Sequence, residues 1–152
     1  MSQYFATVAW NKKAHENFVD NKYSRAHQWK FDGGAIIEAS SSPHIVPLPY
    51  SSEANVDPEE AFIASLSSCH MLFFLSFAAN RKYTVESYTD EATGIMQIDE
   101  DNRMSMTDVT LQPKVLFSGD KQPTKEQIDK IHHNAHKQCF IANSVKTKIH
   151  IK

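Results

Sequence analysis

The longest apolar stretch of the chain covers residues 57–80 and predicts a single long helix. Its first turn carries Asp57, Pro58 and Glu60, which are the N-cap, the first-turn proline and the capping-box acid of a helix start. No residue from position 61 to position 79 is charged, and large apolar side chains recur there at helical spacing. A helix of this composition is expected to be buried nearly all round.

Alternating segments that are bounded by turns predict strands elsewhere in the chain. Residues 4–10 alternate as one strand with a buried face, and residues 32–34 form the glycine turn of a following hairpin. Residues 84–98 and 104–117 are rich in β-forming side chains and predict the two arms of another hairpin. The apolar positions change phase within the second arm, which indicates a bulge near Asp108.

A second helix is predicted after these strands. Thr124 and Gln127 have the spacing of a capping box, and the apolar residues that follow share one helix face, which Cys139 continues. Residues 145–152 alternate between apolar and basic side chains, as expected of a half-buried final strand. Because helices and strands mix without a regular βαβ repeat, the predicted fold class is α+β.

Residues 40–56 are rich in serine and proline and predict a long loop. Loops of this length inside compact domains are often functional, so we expect it either to wall an apolar pocket or to form a plain surface connection. The candidates for lining such a pocket are apolar residues of the loop and of the long helix: Ile45, Val46, Leu48, Phe62, Leu72, Phe73 and Phe74.

Composition narrows the class of protein. With 152 residues, 41% of them hydrophobic and 22% charged, the chain is expected to form one soluble domain over residues 1–152. A net charge of −2 with scattered basic residues predicts no nucleic-acid partner. The uncharged stretch is long enough for a bilayer, but its serines and His70 argue against a membrane span. No leader-like segment is seen, so we expect a cytoplasmic protein, where disulfides tend to be transient and catalytic.

The two cysteines are the first candidates for chemistry. Cys69 lies in the middle of the long predicted helix, beside His70, and Cys139 lies on the predicted buried face of the second helix. If the two helices pack together the thiols can meet, and a cytoplasmic disulfide would then indicate redox catalysis or sensing. The alternative is that Cys69 is only a small buried apolar side chain.

A metal site is a second possibility for the same region. His132, His136 and Cys139 follow one another at i, i+4 and i+7, and zinc accepts these ligand types. The spacing matches no established ligand signature, and helix histidines near a C-terminus also suit the helix dipole and solvent. We therefore expect no metal and no cofactor, with metal binding kept as an alternative.

Two segments resemble the paired cysteine motifs of the OsmC/Ohr family, which includes osmotically inducible protein C and the organic hydroperoxide resistance proteins. They are DPEEAFIASLSSC, in which Glu59 precedes Cys69 by ten residues, and CFIANSVK, which begins at Cys139. The resemblance covers the chain from Tyr4 to the last strand. It implies an intertwined homodimer in which antiparallel sheets enclose two central helices, with active sites at the subunit interface.

The resemblance also implies a role for each matching residue. Cys69 would be the peroxidatic cysteine, Cys139 the resolving cysteine, and Glu59 the acid that orients an arginine and the peroxide. The arginine should come from the region after the first strand, where Arg25 is the only one. His70 and Phe140, directly after the two cysteines, depart from the well-studied subgroups.

The implied function is a thiol-dependent peroxidase that reduces organic hydroperoxides as an antioxidant. Cys69 would become a sulfenic acid and then a disulfide with Cys139, which an external dithiol of the lipoyl type, or another thiol, would reduce. An apolar helix raises a thiol pKa, so a nearby cation such as Arg25 would be needed to form the thiolate. The alternative function is a binding protein for a small apolar ligand.

Overall fold

The computed structural model describes all residues from Met1 to Lys152, and they divide into two compact units. The first unit covers Met1–Ala61 and the second covers Phe62–Lys152. The single domain expected over residues 1–152 stays a prediction beside this division.

The first unit contains a three-stranded antiparallel sheet. Its strands, in spatial order, are β1 (Ala6–Ala9), β2 (His27–Phe31) and β3 (Ile36–Ala39). The predicted hairpin is confirmed, and Gly34 in its turn has a φ of 91°, a conformation that suits glycine because it lacks a Cβ. The first strand was expected to have a buried face. This prediction is wrong, because most β1 side chains are exposed.

The predicted loop at residues 40–56 is confirmed, since it contains no helix or strand. Polar contacts hold it to the end of β3. Ser40 is fully buried, and its Oγ accepts a hydrogen bond from the Ser52 backbone N–H at 2.9 Å. The Asn55 side-chain amide donates to the Ala39 carbonyl at 3.1 Å, next to an isolated bridge between Ala39 and Val56.

Helix α1 (Pro58–Asn80) begins as the sequence predicts. The Asp57 carboxylate accepts a hydrogen bond from the Glu60 backbone N–H at 2.7 Å. The Glu60 carboxylate in turn accepts one from the Asp57 backbone N–H at 3.3 Å. This reciprocal pair satisfies two backbone donors that no intrahelical bond can reach.

The burial expected for α1 is wrong. Its fully buried residues recur at every fourth position on one face: Leu66, His70, Phe74 and Ala78. Only 22% of its most apolar window is buried, and Leu72 on another face is 60% exposed. By length and composition alone α1 is able to cross a membrane, a test that core helices of soluble proteins also pass.

The second unit carries five strands in two sheets. They are β4 (Thr84–Asp90), β5 (Thr93–Ile98), β6 (Met104–Leu111), β7 (Pro113–Ser118) and β8 (Lys148–Ile151). β4 pairs with β7 antiparallel, while β5, β6 and β8 form a sheet in which only the β6–β8 pairing is parallel. The predicted hairpin is therefore confirmed for β5 and β6, but each of its arms is split between the two sheets. The bulge is also confirmed, because Thr107, beside Asp108, is skipped in the pairing.

The second helix and its buried face are confirmed. Helix α2 (Lys125–Gln138) starts at the Thr124–Gln127 capping box and is followed by a short 3₁₀ helix at Ala142–Ser144. Two apolar clusters form the core of this unit. The first contains Phe74, Ala78, Tyr83, Ile131 and Ala135. The second contains Leu66, Val109 and Leu111.

Candidate active site

The two cysteine side chains meet between α1 and the C-terminal end of α2. Cys69 lies in the middle of α1 and is half-buried, whereas Cys139 is the C-cap of α2 and is only 1% exposed. Both are free thiols, and they are close enough to interact, because Cys69 is one of the groups that raise the pKa of Cys139. The structure thus brings together the two residues that the sequence motifs single out.

Cys139 is held as a protonated thiol. Burial, and then the neighbouring Cys69 side chain, raise the pKa of Cys139 to about 11. A backbone N–H acts in the opposite direction, because Ala142 donates to the Cys139 Sγ at 3.4 Å. Cys139 is therefore protonated near neutral pH.

His70 is buried beside this pair and is neutral. Its ring is 1% exposed, and its Nε2 lies 3.0 Å from Nδ1 of His132 on α2. Burial, together with the charges of His132 and His136, lowers the pKa of His70 to about 4. Its Nδ1 has no hydrogen-bond partner. The most economical tautomer therefore has His70 Nε2–H donating to His132, which leaves an unpaired acceptor rather than an unpaired N–H.

Arg25 is held by its own loop rather than by Glu59. Its Nη1 donates to the carbonyl oxygens of Asn21 at 2.9 Å and Tyr23 at 2.5 Å, and its Nη2 donates to the Asn21 side chain at 2.7 Å. The guanidinium also stacks 3.8 Å from the centroid of the Tyr23 ring. These bonds use three of the five N–H donors of a guanidinium, so two are free for another partner.

Arg25 and Glu59 nevertheless line one pocket, of about 490 Å³, in the first unit. Most of its wall is aromatic or apolar, and from the long loop only Ser41 contributes. The full lining is Val8, Trp10, Phe18, Tyr23, Arg25, His27, Ser41, Pro58 and Glu59. The loop side chains expected to wall an apolar pocket are absent from it, and two of them, Ile45 and Leu48, are largely exposed.

No pattern in the sequence predicts the aromatic part of this pocket. Phe18 and Tyr23 come from the charged segment at residues 11–24, which has no clear periodicity, and Trp10 ends the strand predicted before it. Their ring centroids nevertheless lie 4.6 to 5.9 Å apart. The Trp10 indole N–H donates to the Ser24 carbonyl at 2.8 Å and fixes the ring orientation. Contacts of this kind join residues of a loop, so no periodic pattern announces them.

His27, at the same pocket, is held by hydrogen bonds at both ring nitrogens. The Trp29 indole N–H, which can only donate, bonds to the His27 Nε2 at 3.0 Å. The proton of the ring is therefore on Nδ1, which donates to the Arg25 carbonyl at 2.7 Å.

The metal alternative finds no ligand set. No group of three or more His, Cys, Asp or Glu side chains is arranged to hold a metal ion. His132 points its Nδ1 at His70, and Cys139 is engaged with Cys69. His132, His136 and Cys139 do recur at helical spacing. The contacts of His132 and Cys139, however, are packing contacts with α1.

An α+β fold with two neighbouring thiols on two different helices defines a narrow class of protein. The family model described as OsmC-like protein matches residues 51–152, two thirds of the chain. The chain belongs to the OsmC-like family, and the resemblance seen in the sequence is confirmed.

Solved structures agree with this assignment. An OsmC-like protein of unknown function from Vibrio cholerae is 58% identical, with a TM-score of 0.99 over 100% of this chain and 99% of that one. An organic hydroperoxide resistance protein from Elizabethkingia anophelis is 18% identical, with a TM-score of 0.71 over 100% and 94% of the two chains. OhrB of Bacillus subtilis is also 18% identical, with a TM-score of 0.60 over 98% of each chain. No curated protein matches the chain significantly. The OsmC-like fold is thus confirmed, whereas the homodimer stays a prediction.

Proposed function

We propose that this protein is a thiol-dependent peroxidase that reduces organic hydroperoxides. The observation that carries the proposal is that the Cys69 and Cys139 thiols, one half-buried and one buried, are neighbours on two different helices. A pair of free thiols close together needs little movement to become a disulfide. Membership of the OsmC-like family and the fold of the organic hydroperoxide resistance proteins support the same activity.

The first step is attack of the Cys69 thiolate on the outer oxygen of the hydroperoxide. The O–O bond breaks, the alkoxide takes a proton and leaves as an alcohol, and Cys69 becomes a sulfenic acid. The Cys139 sulfur then displaces the sulfenic hydroxyl, which leaves as water with the Cys139 proton. Cys69 and Cys139 are thereby joined as a disulfide, and a dithiol of the lipoyl type or another thiol returns two electrons to restore them.

Arg25 and Glu59 are proposed as the charged residues of the reaction. Both line the apolar pocket, and Arg25 has two N–H donors that its loop does not use. A guanidinium is the residue type that favours a thiolate and a peroxide oxygen in an apolar setting. A carboxylate at the same pocket favours an arginine close by, because a desolvated cation is costly without a counter-ion.

The remaining assignments follow the family. We propose that the enzyme is a homodimer acting in the cytoplasm, without nucleic-acid or membrane partners. The free thiols in the reduced pair suit a compartment where disulfides are transient.

The test is turnover of tert-butyl hydroperoxide with dithiothreitol, followed by peroxide consumption. We expect Cys69→Ser to abolish both single and multiple turnover, because no nucleophile is left. Cys139→Ser should keep the single turnover and lose turnover that depends on the disulfide, with Cys69 then over-oxidised under excess peroxide. Equal losses of single and multiple turnover in Cys139→Ser would contradict its resolving role, and an inactive wild type would contradict the function.

A binding protein for a small apolar ligand is the second candidate, favoured by the aromatic pocket at Trp10, Phe18 and Tyr23. An apolar fluorescent probe that binds with the same affinity to wild type and to Cys69→Ser, in a wild type without peroxide turnover, would support this alternative.

A further inference from the structure

The disulfide that the proposed function requires has to be reduced, and the two sulfurs differ in how they can be reached. Cys139 is 1% exposed, while Cys69 is half-buried on α1. A thiolate attacks a disulfide in line, from the side of one sulfur that faces away from the other, so access to that side decides which sulfur reacts.

The residues that follow Cys139 in the chain pack around it and keep it buried. It ends α2, and its carbonyl accepts a hydrogen bond from the Asn143 backbone N–H at 3.0 Å as the chain turns into the 3₁₀ helix. Ile141 and Ala142 in this turn pack against the cluster that contains Leu66. Phe140, the next residue, lays its ring edge-on against Phe73 of α1 at 5.0 Å between centroids.

We propose, resting on the proposed function, that the reducing dithiol attacks Sγ of Cys69, that the first intermediate is a mixed disulfide on Cys69, and that Cys139 is the leaving group. Phe140 screens Cys139 from the incoming thiol. Phe140 is 70% exposed, and its ring packs against Phe73, which lies one helical turn beyond Cys69. There it also offers apolar surface to the hydrocarbon part of the dithiol.

The steps balance. One thiolate of the dithiol bonds to the Cys69 sulfur, the disulfide breaks, and its electron pair stays on the Cys139 sulfur. That thiolate takes the proton of the second thiol, whose sulfur then displaces the Cys69 thiolate and closes a cyclic disulfide. Two electrons pass from the dithiol to the protein, and both cysteines are again reduced.

The Ala142 backbone N–H, 3.4 Å from the Cys139 Sγ, supports the departing thiolate. Burial disfavours that anion. Because a poorly stabilised thiolate is a poor leaving group, burial also slows the departure of Cys139. The hydrogen bond from Ala142 offsets part of this cost. Attack on the Cys139 sulfur is excluded because that sulfur is buried. The assignment therefore depends on the difference in exposure rather than on which thiol is the better leaving group.

The experiment locates the first mixed disulfide. The disulfide is formed with diamide, which needs no peroxidase activity, and the protein is treated briefly with the monothiol 2-mercaptoethanesulfonate. After acid quenching and alkylation with N-ethylmaleimide, peptide mass spectrometry reads each cysteine. Trypsin separates Cys139 in the peptide at 138–146 from Cys69 in the peptide at 31–81. At the earliest times we expect the monothiol adduct on Cys69 to exceed that on Cys139 by roughly tenfold or more.

Phe140→Ala should raise the adduct on Cys139 several-fold, whereas Leu116→Ala should not, although Leu116 on β7 is exposed to a similar degree, 61%. An adduct mainly on Cys139, or no Cys69–Cys139 disulfide after diamide, would overturn the proposal, and an unchanged ratio in Phe140→Ala would overturn the screening role. A Cys69 adduct in a protein without peroxide turnover would instead refute only the proposed function.

Discussion

At the scale of single residues, the main question is what gives Cys69 its reactivity. An apolar helix opposes a thiolate, so a positive charge is needed near the sulfur. Two histidines near the candidate residues, His70 and His27, are held in other contacts. His70 is buried and neutral, and both ring nitrogens of His27 are occupied by hydrogen bonds. Cys139 contributes no charge, because its pKa is raised. We therefore predict that the reactivity of Cys69 depends on Arg25.

Replacing Arg25 with Met keeps most of the bulk and removes the charge. We expect the pH at which Cys69 is alkylated to rise by about one unit or more, and the rate with an organic hydroperoxide to fall with the thiolate fraction. The measurement is the pH dependence of alkylation in a Cys139→Ser background, where one thiol reports. Arg103→Met is the matched control, because Arg103 is exposed at the start of the β6 hairpin arm. A curve for Arg25→Met that overlays the parent would mean that Arg25 does not activate Cys69.

At the scale of elements, α1 and α2 are joined by a polar contact inside an apolar interface. The rings of His70 and His132 are nearly parallel, with centroids 5.3 Å apart, and Phe74 lies 4.3 Å from His132 on the same side of α1 as His70. Burial lowers the pKa of both histidines, while Asp129 and Asp90 act in the opposite direction on His132. The contact is therefore stable only while the imidazoles are neutral.

This contact makes stability depend on pH in a defined window. His70 has a pKa of about 4 in the folded chain, and an imidazole titrates near 6.5 when unfolded, so only the unfolded chain takes up a proton between these values. Stability is full above pH 6.5 and falls as the pH drops toward 4, by on the order of 3 kcal/mol for His70 alone.

Urea unfolding at pH 7 and pH 5 measures this effect. His70→Leu removes the titrating group at similar volume, so its loss of stability between the two pH values should be smaller than that of the wild type by roughly 2 kcal/mol. His133→Leu is the control, because His133 is an exposed histidine of α2. If the wild type and His70→Leu lose the same amount, the buried pair does not set the pH dependence.

At the scale of the whole molecule, the single chain leaves large apolar side chains uncovered. Leu72 on α1 is 60% exposed, and in the second unit the hairpin of β5 and β6 exposes Ile98 and Met104 by 62% each. Ile98 and Met104 are paired across the two strands and so form one apolar patch, and larger exposed patches usually mark an interface. It fits the homodimer that the family resemblance implies, in which a second copy would cover these faces.

The dimer is tested by sedimentation equilibrium, where we expect about twice the chain mass of 17.3 kDa. Leu72→Glu places a charge on the uncovered face of α1 and should shift the protein toward the monomer, since an unpaired charge in an interface is costly. Thr84→Glu adds the same charge at an exposed position of β4 and should leave the mass unchanged. A wild type that sediments at the single-chain mass would refute the dimer.

The sequence alone determined where the helices start and what chemistry to look for. Both helix starts were predictable because a cap is made by residues three apart, as at Asp57 with Glu60 and at Thr124 with Gln127. The Cys69 motif pointed to the family because its residues are close in sequence. Local interactions leave a local pattern, so these features could be read directly.

Only the tertiary structure decided which distant groups meet. The pairing of β4 with β7 and the parallel pairing of β6 with β8 join segments far apart in sequence, and alternation alone does not choose a partner. The same holds for His70, whose position beside Cys69 gave no sign that His132 would hold it neutral. The burial of α1 was overestimated because composition reports how apolar a helix is. How much of that surface a single chain covers depends on the other elements packed against it.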